Sequence, residues 1–483
     1  MHELLESMPT ELLIANDWIE ASAHGDIINP ATGEAVGSLG QADAAAVDSA
    51  VNAAAAALAG WSQMPGSERA KLLWRLADLI ERDSETLVNL ETLDVGRPLG
   101  ETAGMHVPAA IDCFRYYAGW ADKLEGQTIP TAGYMGQKTL SYTLKEPVGV
   151  VGAITPWNAP LMISSWKLGP SLATGCTVVL KPAQEASLSQ IYLGKLAVEA
   201  GFPPGVLNIL PGRGSLAGDA LVNHPGVDMI TFTGGPETGA TIQRNIAGTG
   251  KRAALELGGN AAHLICADAD LEAAIGGTVM GLVVNQGQTC ACGGRVLVHR
   301  SIADQFTDML AGAMSSIQLG DPFDAATQMG PLVSERHLDT VLSFVAAGNR
   351  EGAELVTGGE RQGDRGFFFT PAVFRSPQHD GTIVKEEIFG PVGVVVPFDD
   401  LDEGVAMAND TKYGLGGYVW TENVRAAHRI AEQMHCGAVN INGWSAIDSR
   451  LPWGGRGKSG IGGDCGKASL DAFTEDKVVT VVL

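Results

Sequence analysis

The sequence is short of positive charge: 32 Lys and Arg stand against 55 Asp and Glu, a formal net charge of −23 at pH 7. Such a composition lacks the basic face that a phosphate backbone requires, which excludes a nucleic-acid partner, and it repels anionic lipid headgroups. An anionic cofactor is not excluded, because backbone N–H groups at a helix start bind phosphate without any cationic side chain. Long hydrophobic runs are absent too. No stretch approaches the roughly 20 apolar residues of a membrane span. The acidic opening MHELLESMPTELL has neither the basic start nor the apolar centre of a signal peptide. Cysteine is sparse and odd in number, seven in all, so no disulfide framework is expected and a reducing cytoplasm is the expected location. The Cys290-x-Cys292 pair has no second ligand cluster beside it, which argues against zinc, and no metal site is expected. The 62 glycines show no Gly-X-Y period. A GxGxxG fingerprint is missing as well; its nearest mimic, Gly212 to Gly218, has the wrong spacing.

What is present fits a soluble globular chain. Hydrophobic residues make up 45% of 483, ample for two or three cores. Residues 42–59 and 67–90 read as helices, the second starting at Ser67 and Glu68. From about residue 148 short apolar strands alternate with helices. VGVVGAIT, TVVLKP, VLNIL, MITFTG and RAALEL are the strands; EASLSQIYLGKLAVEA, SLAGDALVNH and PETGATIQRNIAG are helices, the last with Pro236 at its first position. This rhythm predicts an α/β fold with a parallel sheet, helices on both faces and a ligand at the carboxyl ends of the strands. A second α/β stretch runs from AHLICAD (261–267) into the 420s.

Three segments carry chemistry. TPWN (155–158) ends a strand, LELGGN (255–260) puts Glu256 at a strand end before two glycines, and NQGQTCACGG (285–294) sets Cys290 in a small-residue loop after a helix. A thiol there can act as a nucleophile if its pKa is lowered or a base is within reach. Glu256 is the candidate base. The Asn158 side-chain amide and the Cys290 N–H are candidate donors to an oxyanion. Each segment alone has an ordinary structural reading; it is their combination that points to a site.

Together with FTGG, EEIFGPV (386–392), PWGGRGKSG and FTEDKVV (473–479), these motifs resemble the aldehyde dehydrogenase superfamily in order and spacing over essentially the whole chain. RYYAGWADKLEGQTIP (115–130) resembles the broad-range tetrameric branch. The resemblance implies an aldehyde dehydrogenase fold: a Rossmann-like cofactor domain (1–130 and 148–257), an α/β catalytic domain (258–458) and a small β oligomerisation domain (131–147 and 470–483). It implies NAD(P)-dependent oxidation of an aldehyde to an acid through a Cys290 thiohemiacetal and thioester. Glu256 would activate the deacylating water, Asn158 would form the oxyanion hole, and Lys167 would relay protons from Glu256. Toward the cofactor the implied contacts are Ile154, Trp157, Lys181, Gln184, Gly214, Gly235, Leu257, Glu387 and Phe389. Toward the substrate they are Ala159, Met162, Ile163, Trp166, Thr289 and Trp453. A homodimer or homotetramer follows, through the strand-like end FTEDKVVTVVL.

The sequence departs from the family at several points. Gln184 replaces a frequent glutamate, which implies NAD use with NADP tolerated. Gly235 replaces a serine, Asn260 a lysine, and Asp464 stands where some members have a longer acid. Cys292 opens the possibility of a disulfide with Cys290. Ala159, where a bulkier aromatic is common, and the Met and Trp residues favour an apolar aliphatic, terpenoid or aromatic aldehyde. The alternatives are a CoA-acylating semialdehyde dehydrogenase, against which Glu256 argues, and a catalytically silent scaffold, against which Cys290, Glu256 and Asn158 argue.

Overall fold

The computed structural model describes residues 4–5, 8–444 and 447–483. Part of the acidic opening (1–3, 6 and 7) lies outside them, as do 445 and 446.

Among the described residues, four sheets organise the fold. The largest has eight strands, and its five central strands run parallel in the order Arg252–Leu257, Met229–Gly234, Val150–Ile154, Thr177–Lys181 and Leu207–Ile209. Gly460–Ile461 joins one edge antiparallel, and Leu12–Ile14 with Asp17–Ile19 extends the other. From Val150–Ile154 the chain first adds strands on one side, then returns to add Met229–Gly234 on the opposite side. That reversal creates a crevice at the carboxyl ends of these two neighbours. TPWN follows the first and Gly235 follows the second, so two separate motifs meet at one switch point.

The second sheet has seven strands between Ala262 and Ile441, all parallel except the edge strand Glu354–Thr357. A third, antiparallel sheet pairs Thr474–Val482 with Thr139–Pro147, which also pairs with Thr128–Ile129. Ala23–Asn29 and Glu34–Gln41 form a separate hairpin.

The helices follow local rules. Ala44–Gln63 starts at Asp43, whose carboxylate accepts from the Ala46 N–H at 2.9 Å, and it buries Val47, Ala50, Val51 and Ala54 along one face. Pro160–Thr174 opens with proline at its first position, closes on left-handed Gly175 and is buried throughout. The single helix expected over 67–90 is instead two, Gly66–Arg82 and Ser84–Val95. The first begins after Pro65 rather than at Ser67. The break falls at Asp83, whose carboxylate is held by Arg82 and by the Tyr192 hydroxyl at 2.9 Å, drawing the side chain away from helical geometry. Likewise SLAGDALVNH is not one α-helix: a π-helical turn, Gly214–Gly218, precedes Asp219–Asn223. Among the described residues no helix is long and apolar enough to cross a membrane.

Candidate active site

Asn158 sits two residues before the buried Pro160–Thr174 helix and is itself 6% exposed. Helix N-termini favour negative charge nearby, so the position suits an oxyanion donor. Cys290 arrives from the other sheet. Leu271–Val283, capped by Asp270, is followed by Asn285 and Gln286 at φ 51° and 58°, and this turn carries the chain to the thiol. Glu256 lies in register with Thr233 at the end of its strand.

Two glycines of LELGGN let these parts approach. A Cβ on Gly258 would lie 1.9 Å from Glu387 Oε2, and one on Gly259 would lie 2.5 Å from the Cys290 carbonyl oxygen. A side chain at Gly259 would force the Cys290 backbone away, and one at Gly258 would displace the Glu387 carboxylate. Glu387 is bound here, its Oε1 accepting from the Gly259 N–H at 2.9 Å, and burial pushes its pKa up to about 8.

Two cavities meet at Cys290 and Asn158. The larger, about 670 Å³, brings together Ala159, Met162, Ile163, Trp166, Thr289 and Trp453. Trp166 and Trp453 form part of its wall with ring centroids 6.4 Å apart. Residues not singled out from the sequence complete it: Met105, His106 and Tyr116 on one side, Trp444 and Ile447 on the other. The smaller, about 240 Å³, is lined by Trp157, Gly235, Leu257, Glu387 and Phe389, with Thr233 between them. Trp157 packs edge-on against Phe389 at 5.3 Å, and His337, also missed from the sequence, packs on Trp157 and bonds the Phe389 carbonyl at 2.7 Å. Ile154, Lys181, Gln184 and Gly214 do not line that cleft. They lie along the same carboxyl edge, Ile154 paired with Lys181, Gln184 and Gly214 exposed. Burial brings the Lys181 pKa down to about 8.

The electrostatics are those of a dry site. Burial, then the Glu387 and Glu256 carboxylates, pushes the Cys290 thiol up to about 12. Cys292 is buried, and its thiol is likewise pushed up to about 12 by burial and by Glu387. Glu256 is 3% exposed and neither carboxylate oxygen has a hydrogen-bond partner. Its pKa is raised well above the ordinary carboxylate range by burial and by Asp464, with Lys167 opposing. Lys167 and Asp464 form a fully buried ion pair at 2.7 Å, although 297 residues separate them. Asn260 is structural in its contacts, donating to the Val384 carbonyl at 2.9 Å.

The nicotinamide and pyrophosphate part of a dinucleotide fits the smaller cleft: Thr233 Oγ1 is buried without a partner, and the Pro236–Ile246 helix starts at Gly235, where a Cβ would meet open space.

The profile of the Aldehyde dehydrogenase family matches residues 18–479. The mitochondrial aldehyde dehydrogenase of Rattus norvegicus is 42% identical over 477 residues, covering 98% of this chain and 91% of that one. Retinal dehydrogenase 2 of Homo sapiens is 42% identical over 483 residues, covering 99% and 92%. The NAD+ complex of an aldehyde dehydrogenase from Bacillus cereus superposes with a TM-score of 0.97 at 43% identity, covering 99% of this chain and 98% of that one. Sequence, fold and near-complete mutual coverage agree, and the chain belongs to the aldehyde dehydrogenase family.

Proposed function

We propose that the protein oxidises an apolar aldehyde to the carboxylic acid with NAD as hydride acceptor, through an acyl-enzyme on Cys290. The observation that supports this most is that Cys290 and Asn158 line both cavities at once, so a carbonyl at the end of the larger one reaches the thiol and the cofactor cleft together. Glu387 would hold the nicotinamide ribose, Trp157, Leu257 and Phe389 the nicotinamide end, Gly235 the pyrophosphate, and Ile154, Lys181, Gln184 and Gly214 the adenosine end. Bound there, NAD supplies a hydride acceptor.

The Cys290 thiol gives up its proton to solvent water as its sulfur adds to the carbonyl carbon, and the oxygen becomes an alkoxide that accepts from Asn158 Nδ2 and the Cys290 N–H. Collapse of the alkoxide expels the hydride and leaves a thioester. Glu256 then takes a proton from water, the hydroxide adds to the thioester carbonyl, and the acid departs as the thiol is restored. Lys167 and Asp464 act on Glu256 as opposing fields, Lys167 favouring its charged form; a relay through Lys167 needs a bridging water, since Lys167 bonds Asp464 and neither Glu256 oxygen has a partner. Asp464→Asn removes the neighbour that raises the Glu256 pKa. The pH limb of kcat is therefore expected to move to lower pH, while the loss of Lys167's partner lowers unfolding stability by about 3–5 kcal/mol in urea titration. An unmoved limb in the folded variant contradicts this account of Glu256.

Among the described residues, the cations on the larger cavity are paired, Arg115 with Asp78 and Glu81 and Arg450 with Asp448, with Arg115 Nε left over; what favours an uncharged aldehyde is the apolar wall of Met105, Met162, Ile163, Trp166 and Trp453. Hexanal and benzaldehyde are expected to exceed succinic semialdehyde at least about 10-fold in kcat/KM, without CoA. Because Gln184 brings no charge to the adenosine ribose, NADP is expected to retain at least about a thousandth of the NAD efficiency, a discrimination under about 4 kcal/mol. Initial rates with the three aldehydes and both cofactors decide both points, and a preference for the semialdehyde rejects the apolar reading. A homodimer or homotetramer is supported by the three-stranded sheet, whose edge strand exposes Val478, Val481 and Val482 and whose neighbour exposes Leu140 and Leu144.

A further inference from the structure

The backbone carbonyl of Asn158 is the hub of a closed hydrogen-bond ring joining the two halves of the site. It accepts from Asn285 Nδ2 at 2.7 Å and from Arg97 Nη1 at 3.0 Å. Asn285 Nδ2 also donates to the Gln288 carbonyl at 3.0 Å, and that same oxygen accepts from the Asn158 side-chain amide at 2.9 Å. Asn158, Asn285 and Gln288 are all buried. Arg97 braces the ring: Nη1 reaches Asn285 Oδ1 at 3.4 Å, and Nη2 pairs with Glu91, both side chains being wholly buried. The Asn285 N–H is held in turn by both Glu101 oxygens, at 3.0 and 3.1 Å.

A side-chain amide carries two hydrogens in one plane. With one hydrogen of Asn158 fixed on Gln288, the direction of the other is determined, and Asn158 lines the cavities where Cys290 lies. Asn285 has no such hydrogen to offer, because both of its amide hydrogens are engaged by the carbonyls of Asn158 and Gln288. Its backbone is left-handed at φ 51°, next to left-handed Gln286, an arrangement that persists only where the surroundings hold it.

We propose that Asn285, braced by Arg97 and Glu101, is the positioning residue of the oxyanion hole, setting the plane of the Asn158 amide relative to the Cys290 loop. This rests on the reading of Asn158 as the oxyanion donor. Asn285 acts through Asn158, and so its effect exists only where the Asn158 amide is present.

A double-mutant cycle tests it. Asn285→Gly keeps the left-handed backbone free of strain and deletes the amide. Asn285→Asp keeps the shape and the Arg97 contact but replaces two donors with acceptors facing two carbonyls. Each is measured alone and with Asn158→Ala for kcat with an apolar aldehyde, KM for NAD, and thermal midpoint. Asn285→Gly is expected to lower kcat about 10–100-fold, with KM for NAD changed less than about 2-fold. In the Asn158→Ala background the same change is expected to cost less than about 3-fold. Asn285→Asp is expected to lower kcat further, with the same loss of additivity, and it carries the cycle if the glycine variant does not fold. Full additivity in folded protein overturns the proposal. An unchanged kcat in Asn158→Ala alone instead overturns the oxyanion reading beneath it.

Discussion

Cys290→Ala is expected to lower aldehyde-dependent NADH formation at least about 10⁴-fold, to the background of the assay, because Cys290 is the thiol that, among the described residues, lines both cavities. The other thiol nearby is no substitute: Cys292 is buried in the apolar layer of the second sheet and lines neither of the two cavities that meet at Cys290. Alanine removes only the sulfur from a partly exposed loop position, so the unfolding free energy should change by no more than about 1 kcal/mol. NAD binding, followed by titration of the intrinsic tryptophan fluorescence, should survive, since the cleft walls at Trp157, Glu387 and Phe389 are untouched. Appreciable turnover in the variant would remove the thiol from the mechanism altogether.

Glu256→Gln should separate the two halves of the reaction. Steady-state turnover is expected to fall about 10²–10⁴-fold, the usual contribution of a positioned general base. The first equivalent of NADH should still appear as a burst, since the thiol and the Asn158 amide that form and hold the hemithioacetal for hydride transfer to NAD remain in place. The thioester would then accumulate, visible as an added acyl mass on the intact protein. The pH dependence has a definite sign. Burial and Asp464 raise the Glu256 pKa, so the carboxyl is protonated and idle at low pH, and wild-type deacylation rises as pH climbs through that raised value. Glutamine cannot titrate, and this limb should flatten. If burst and steady state fell by the same factor, Glu256 would be acting before hydride transfer and its assignment to deacylation would fail.

How much of this was legible in the sequence depends on how local the cause is. The parallel strands from Val150 to Leu257 could be read because each is a short apolar run closed by its own turn residues. LELGGN could be read only as a motif shared with the family, because what its glycines answer, the approach of Glu387 and of the Cys290 backbone, is brought in by the fold. The helix break at Asp83 could not, since it depends on a tyrosine hydroxyl 109 residues away. Nor could the Lys167–Asp464 pair, the packing of His337 on Trp157, or the Trp444 and Ile447 wall, all made by common residue types brought together only by the fold. The same holds for Asn285. Its motif marked it, but its two acceptors become visible only when both sheets are in place.

The resting state of the nucleophile has a further consequence. Burial, Glu387 and Glu256 hold the Cys290 thiol above its ordinary pKa, so the thiolate is the minor form at neutral pH. Alkylating agents and peroxides react with the thiolate, so a protein waiting without its substrates presents them with little to attack. Each turnover must therefore take the proton from the sulfur as well as form the carbon–sulfur bond. Nucleophilicity here is thus a matter of timing: the fold keeps the sulfur inert for most of its life and confines its vulnerability to the turnover itself.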